Sequence, residues 1–446
     1  MEGTKRRTRR RRQDEEITHK LDLLQEPPNS SQVSGGRWTY HNPVDLNPNA
    51  TDIRITVPRS DDEFTDLFGA ILIVTLSVVN ANGNDLDDNI DNVAVNQADH
   101  GDMLFQSGQL RINNTATEYI DSYGVLGYIR NLLGMMPDAK TSRLECEGWF
   151  EDRARGGNRG AHAADEKLRR KKIAGSRRQV LLLRPKFSLC KQQKMFVPGV
   201  EFEFLFRRSP TTMFLVGTDA AVAACKIRIH SAELKVRRCK VDPEVYSALL
   251  TAAARSATTE DGDGDGQYKY QHNQLECSEH TLGTGSTSYN ITLPSHQKPD
   301  KILVVFINQS AHAGSATKQA TRFAHLNITH ASLKLDGVPT DKEIECDFGD
   351  GGDSTIAYNA LFDVAFQNTQ NASHGVTLEE FRTKSTIFAW NTEDLPGSQG
   401  QKNQNVGISL SFKMSTATTE VHTALVIRQT KRQLAVTVAG RVLKER

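Results

Sequence analysis

A chain of 446 residues is longer than one hydrophobic core normally serves, so two domains, or one domain doubled, is the starting expectation. Hydrophobic residues make up 37%, and no apolar run nears the roughly 18 residues of a membrane helix, which excludes a helical membrane protein. A formal net charge of +1 excludes a body that binds polyanions over its whole surface.

In chain order, residues 1–44 read as a basic arm. Lys5, Arg6, Arg7, Arg9, Arg10, Arg11 and Arg12 place seven cations in eight positions. Such a block repels itself, stays extended and suits nuclear import or phosphate contact, against the plain alternative of a solvated tail. No apolar stretch follows Met1, so no secretory signal is expected. Ile17, Leu21 and Leu24 suggest a short amphipathic helix. Pro27, Pro28 and the polar stretch 29–36 then read as a linker.

Order is expected from about Tyr40. Alternation at 52–57 and the long apolar segment 68–79 predict strands, the second running into an Asn/Gly turn at 80–84. Residues 104–106 and 109–113 read as a hairpin around Ser107-Gly108. Helical spacing of Val125, Ile129, Leu132, Leu133 and Met136 predicts a helix over 117–136, ended by Pro137. The loop 150–178 carries a second basic run, with Arg169, Arg170, Lys171 and Lys172, for which import or polyanion contact and a mobile solvated loop are equal readings.

Residues 178–216 are the densest β signal. They predict strands at 180–183, 186–190 and 200–206, the last with Phe202, Phe204 and Phe206 facing a core and Glu201 and Glu203 opposite. Two more strands are expected at 224–230 and 233–236. Asp242 as N-cap and Pro243 at the first position start a second helix, and 258–266 is a polar linker. The second half repeats the plan, with strands at 302–307, 332–337, 386–390, 406–412, 423–427 and 434–438 and a helix over 355–367. Residues 110–113 align with 333–336, and 199–204 with 407–412. Many short strands plus one helical insertion, twice, describe two tandem jelly-roll β-sandwiches, a mainly β chain. The domains are then 1–44 arm, 45–240 first jelly roll, 241–266 helix and acidic linker, and 267–446 second jelly roll.

Across roughly 45–440 the chain resembles the major capsid proteins of Polinton/Maverick elements and their adintovirus relatives, akin to those of adenoviruses and virophages. The resemblance rests on ordered segments. They are 66–86 with Asn82-Gly83-Asn84-Asp85-Leu86, the helix ending Gly134-Met135-Met136-Pro137, Trp149-Phe150-Glu151-Asp152, and 186–209 with Val197-Pro198-Gly199-Val200. In the second half they are 301–308, 315–318 and 325–337. It implies a structural protein with no catalytic residues, cofactor or metal. It also implies homotrimers of six jelly rolls that tile an icosahedral shell, with penton and minor capsid proteins as further partners. The shell encloses double-stranded DNA, which the N-terminal arm could contact. A virion capsid assembled in the host nucleus is the expected location. The other reading is a nuclear β-sandwich protein that binds nucleic acid through the two basic segments. A cupin-like enzyme is a third, but it needs an inward cluster of His and carboxylate ligands that the sequence does not show.

Motifs that imitate chemistry fail on their partners. Asp261-Gly262-Asp263-Gly264-Asp265-Gly266 starts like a calcium loop, but position nine is Lys269 and position twelve, which needs a bidentate Glu, is His272. Asp347-Phe348-Gly349 matches a kinase tripeptide without the accompanying lysine or glycine loop. Cys146, Cys190, Cys225, Cys239, Cys277 and Cys346 form no CxxC pair. They read as reduced, mostly buried thiols. The sequons at Asn290 and Asn327 are chance matches.

Overall fold

Phe202, Phe204 and Phe206 alternate with Glu203, Leu205 and Arg207, and such a strand must turn one face to a core. In a computed structural model of the chain all three phenylalanines are fully buried and Glu203 lies on the other face, bound by Arg54 and Arg111. The structure describes residues 33–46, 51–88, 93–95, 99–150, 169–256, 267–340, 343–366, 373–393, 405–437 and 442–444.

The first half contains β1 (Val33–His41), β2 (Asp52–Val57), β3 (Glu63–Asn80), β4 (Val93–Val95), β5 (Phe105–Ile112) and β6 (Thr115–Ile120). Helix α1 (Tyr123–Gly134) follows, then β7 (Gln179–Leu183), β8 (Phe202–Arg208), β9 (Leu215–Gly217) and β10 (Cys225–Val241). Helix α2 (Pro243–Ser256) leads to β11 (Gln267–Leu282), β12 (Ser288–Gln297), β13 (Lys301–Asn308), β14 (Ile328–Leu335), β15 (Val338–Pro339) and β16 (Ile344–Glu345). Helix α3 (Thr355–Phe366) then precedes β17 (Phe388–Asn391), β18 (Asn405–Met414), β19 (His422–Thr437) and β20 (Val442–Lys444).

The sheets of the first half run β1-β10-β3-β7 and β2-β8-β5-β6, and those of the second β11-β19-β13-β17 and β12-β18-β14-β15. Leaving aside the short β4, β9, β16 and β20, the two halves share one strand order, with the last strand of each lying between its first and third. That interleaving defines a jelly roll. The two strand pairs aligned in the sequence, β5 with β14 and β8 with β18, hold equivalent places. In the first core Phe206 packs on Phe105 at 4.9 Å and Phe202 on Phe196 at 4.9 Å. In the second Phe306 meets Phe412 edge-on at 5.1 Å.

Several expectations need correction. Val33–His41, placed by the sequence in the arm and linker, is strand β1 and pairs along β10. An edge strand is held by backbone pairing and needs no apolar alternation, so its Gly35-Gly36 pair hid it. The strands expected at 224–230 and 233–236 are one, β10 (Cys225–Val241). Bulges between Ile229 and Ser231 and between Lys235 and Arg237 shift the alternation and imitate a break. The strands expected at 423–427 and 434–438 are likewise joined in the single β19 (His422–Thr437), whose polar middle pairs with the polar middle of β11; residue 438 lies outside the described residues. Ser107-Gly108 lies within β5, whose register shifts fall between Phe105 and Ser107 and between Leu110 and Arg111, and the hairpin turn lies at Asn113-Asn114. Residues 117–120 finish strand β6, so the helix starts later, at Tyr123. Residues 186–190 are not a strand: Ser188–Cys190 is a 3-10 turn, fixed by Glu118, which accepts from the Ser188 N–H and hydroxyl. Asp242 does cap α2, accepting from Glu244 N–H at 2.9 Å.

The two halves pack along one seam. Tyr270 stacks on Phe196, Tyr128 meets Phe323 at 5.8 Å, and Gly217 N–H donates to the Ala316 carbonyl at 2.9 Å. The Lys140 ammonium donates to the carbonyls of Leu132 and His374, one from each half. The outer sheet faces differ. In the second half Val305, Ile307, Leu425 and Ile427 are at most 1% exposed. In the first, Ile71 and Ile73 are half-buried, and Trp38, Tyr40, Val180 and Leu182 are 37–58% exposed.

Candidate functional site: a buried ionic cluster, two basic segments and a cleft

Lys186 is the centre of the most charged interior site. Its ammonium lies 3.0 Å from Asp102 Oδ2, 3.0 Å from Glu147 Oε2 and 3.2 Å from Asn131 Oδ1, and all four residues are buried. Asn131 donates onward to Asp99 at 2.5 Å. Burial works against the lysine's charge, but Asp102 and Glu147 outweigh it and raise its pKa. Burial raises Asp99, with Asp102 adding, and raises Glu147 against the pull of Lys186. A lysine held charged by carboxylates is no nucleophile. The arrangement is a clamp that ties α1, the turn at Asp102–Leu104 and the Arg143–Glu147 turn together. Two glycines let α1 approach. A Cβ on Gly127 would lie 2.6 Å from Asp102 Oδ2, and one on Gly124 would lie 2.9 Å from Met103 Cα. A signal of the cluster was in the sequence: Asn131 interrupts the apolar face of α1, and Lys186 sits between Pro185 and Phe187.

The predicted basic residues divide. Lys5, Arg6, Arg7, Arg9, Arg10, Arg11 and Arg12 lie outside the described residues. In the second run Arg169 is 2% exposed, so it is a packing residue and is not on the surface. Arg170 is half-buried, while Lys171 and Lys172 are exposed. The Lys172 ammonium sits 4.0 Å from the Phe150 ring centre, and burial lowers its pKa. The run therefore does not present one continuous basic face.

The imitation motifs have structural roles or fall outside the description. Residues 261–266 lie outside it, and His272 and Lys269 are strand residues of β11. Phe348 stacks on His325 at 4.8 Å in a loop. Among the described residues no group of three or more His, Cys, Asp or Glu could hold a metal, and no helix is long and apolar enough to cross a membrane. Burial pushes the thiols of Cys277 and Cys346 up to about 12, and that of Cys190 further, so none is poised as a thiolate.

Where the halves meet, a cleft of about 920 Å³ opens between α1 and the outer face of β13 and β19. Leu126, Ile129 and Leu133 line it from one side and Leu303 and Ile427 from the other. Six cations, Arg130, Lys191, Lys298, Lys301, Lys431 and Arg432, face two carboxylates, Asp300 and Glu393. The site was not legible in the sequence, because its residues come from seven separate segments.

No protein-family model and no curated protein sequence matches the chain. Solved structures do. The Sputnik virophage structure aligns at a TM-score of 0.61 with 11% identity, covering 96% of this chain and 91% of that one. The fold is a double jelly roll. A chain of the PBCV-1 virus capsid aligns with this double jelly roll at 0.57 with 11% identity, over 92% of this chain and 96% of that one. The mavirus major capsid protein aligns at 0.52 with 12% identity, over 95% of each. The neighbours of this double jelly roll are therefore viral and virophage capsid proteins, matched over nearly their whole length.

Proposed function

We propose that the chain is a major capsid protein of an icosahedral double-stranded DNA virus or virus-like element, of the Polinton/adintovirus type. The observation that carries this is the whole-length match of a doubled jelly roll to capsid chains, with both halves aligned and little left over on either side. In this reading it assembles as a homotrimer whose six jelly rolls form a pseudo-hexagonal block. Penton and minor capsid proteins complete the shell, and the arm at 5–12 contacts packaged DNA or an import receptor. Assembly takes place in the host nucleus.

The bare outer face of the first half supports self-association. Its counterpart in the second half is covered within the chain. A copy-to-copy contact that repeats the internal one would bury Trp38, Tyr40, Val180 and Leu182 and would be head-to-tail, the kind that closes rings. Light scattering on the purified chain tests this, with electron microscopy for shell-like particles. A mass of three chains is expected. A strict monomer that binds DNA in a salt-sensitive manner would replace this reading with that of a nucleic-acid-binding sandwich.

A further inference from the structure

We propose that the cleft between the two jelly rolls is a binding site for a small phosphate-bearing polyanion. Its positive charge is only partly answered by the protein. Lys431 pairs with Glu393 and lies 3.9 Å from Asp300, while Asp300 also acts on Lys298 and both carboxylates act on Lys301, so two negative charges are shared among three lysines. Lys301 spends its ammonium on a neutral acceptor, the Val364 carbonyl at 2.6 Å. Arg432 binds Glu276 through Nη2 at 3.1 Å, but its buried Nε has no hydrogen-bond partner among the described residues.

On the first-half wall the buried Glu118 and Asp102 act on Arg130 and Lys191, but neither forms an ion pair with them among the described residues. The buried Nη1 of Arg130 has no partner among the described residues. Lys191 opens to the water of the cleft while protein surrounds it, and no hydrogen bond or ion pair holds its ammonium among the described residues. Arg130 pushes the Lys191 pKa well down, and burial adds to this. Two cations set side by side repel, and an anion between them would relieve that repulsion.

The lining also selects the class of anion. A single carboxylate answers one cation, whereas a phosphate chain spreads several charges over tetrahedral oxygens that guanidinium and ammonium groups both bind. Gln192, Gln271 and Asn273 add neutral amide donors. Among the described residues no Phe, Tyr or Trp lines the cleft, and the one ring there, His272, is 8% exposed, so it offers no stacking platform for successive bases and a nucleic acid strand is disfavoured. Because Arg130 and Lys191 come from the first half and Lys298 and Arg432 from the second, the ligand would tie the halves together. This holds whether or not the chain forms capsids.

The test uses the full chain with sodium tripolyphosphate, against sodium chloride at matched ionic strength. Calorimetric titration should show one saturable site, and the melting temperature should rise by about 2 °C or more. Lys191→Gln and Lys298→Gln, one on each wall, should each weaken binding about tenfold. Without ligand, Lys191→Gln should melt no lower than the natural chain, because it removes a repulsion. ATP should bind no tighter than tripolyphosphate. The proposal is overturned if the shift matches the salt control, or if both variants bind as the natural chain does, which would place the anion elsewhere, such as on the arginine block. ATP binding far tighter than tripolyphosphate would overturn the assignment of a phosphate-only ligand.

Discussion

Tyr270 of the second jelly roll stacks its ring on Phe196 of the first, centroids 4.4 Å apart and planes 23° from parallel, and its hydroxyl accepts from the Val197 N–H at 3.2 Å. One side chain thus supplies both apolar area and a polar anchor across the seam. Tyr270→Phe should cost about 1 kcal/mol through the orphaned N–H, and Tyr270→Ala about 3–5 kcal/mol. Scanning calorimetry should show one transition in the natural chain and two in Tyr270→Ala. A single unshifted transition in the alanine variant would mean that the seam is held elsewhere.

Phe204 pairs with Ile55 on β2 and Leu110 on β5, all without exposed surface. Phe204→Asp would bury a carboxylate with no partner and should abolish soluble folded protein, while Phe204→Leu should cost no more than about 1.5 kcal/mol. Soluble yield and circular dichroism check this. A folded Phe204→Asp would show that the strand register is wrong.

Gly127→Ala separates two effects. In an exposed helix the change should stabilise by about 1 kcal/mol. Here the new methyl meets the Asp102 carboxylate, which Lys186 holds in place, so a loss of about 1–3 kcal/mol is expected instead. Urea unfolding of Gly127→Ala beside Gly134→Ala, where a Cβ meets nothing within 4 Å, gives the comparison. A gain at Gly127 would mean α1 does not lie against Asp102.

Burial lowers the pKa of His272 from 6.5 to about 4. The folded state then keeps the imidazole neutral while the unfolded chain takes up a proton below 6.5. The stability this contributes is fully present above about pH 6.5 and is lost as the pH falls towards 4. The buried carboxyls Asp99, Glu118 and Glu147 have raised pKa values and act in the opposite sense, so the imidazole is isolated by comparison with His272→Gln. Between pH 6.5 and 5 the natural chain should lose up to about 2 kcal/mol more than the variant. Parallel losses would show that His272 is protonated in the fold.

How much of this was legible in the sequence follows from range. Alternation in Phe202–Arg208 and the repeat of that strand at Asn405–Met414 are local signals, and they were enough for the doubled jelly roll. Strand β1 was invisible because what fixes it is β10, about 200 residues away in sequence. The Lys186 clamp and the basic cleft were missed for the same reason: each gathers side chains from segments whose proximity only the fold creates. Arg169 shows the converse error, in which a run of cations suggests a surface although one member points inward.

The place of the last strand in each half has a consequence for synthesis. β10 lies between β1 and β3, and β19 between β11 and β13. Until β10 has left the ribosome, the 18 residues of β3 lack their partner on one long edge, and β1 lacks the one strand it pairs with among the described residues. Neither sandwich can close progressively from its N-terminus, so each half must wait for its final segment and then fold through contacts of high sequence separation, a slow process. A nascent chain stalled before residue 225 therefore carries an apolar strand with an open edge, and one stalled before 422 has a finished first half joined to an unclosed second.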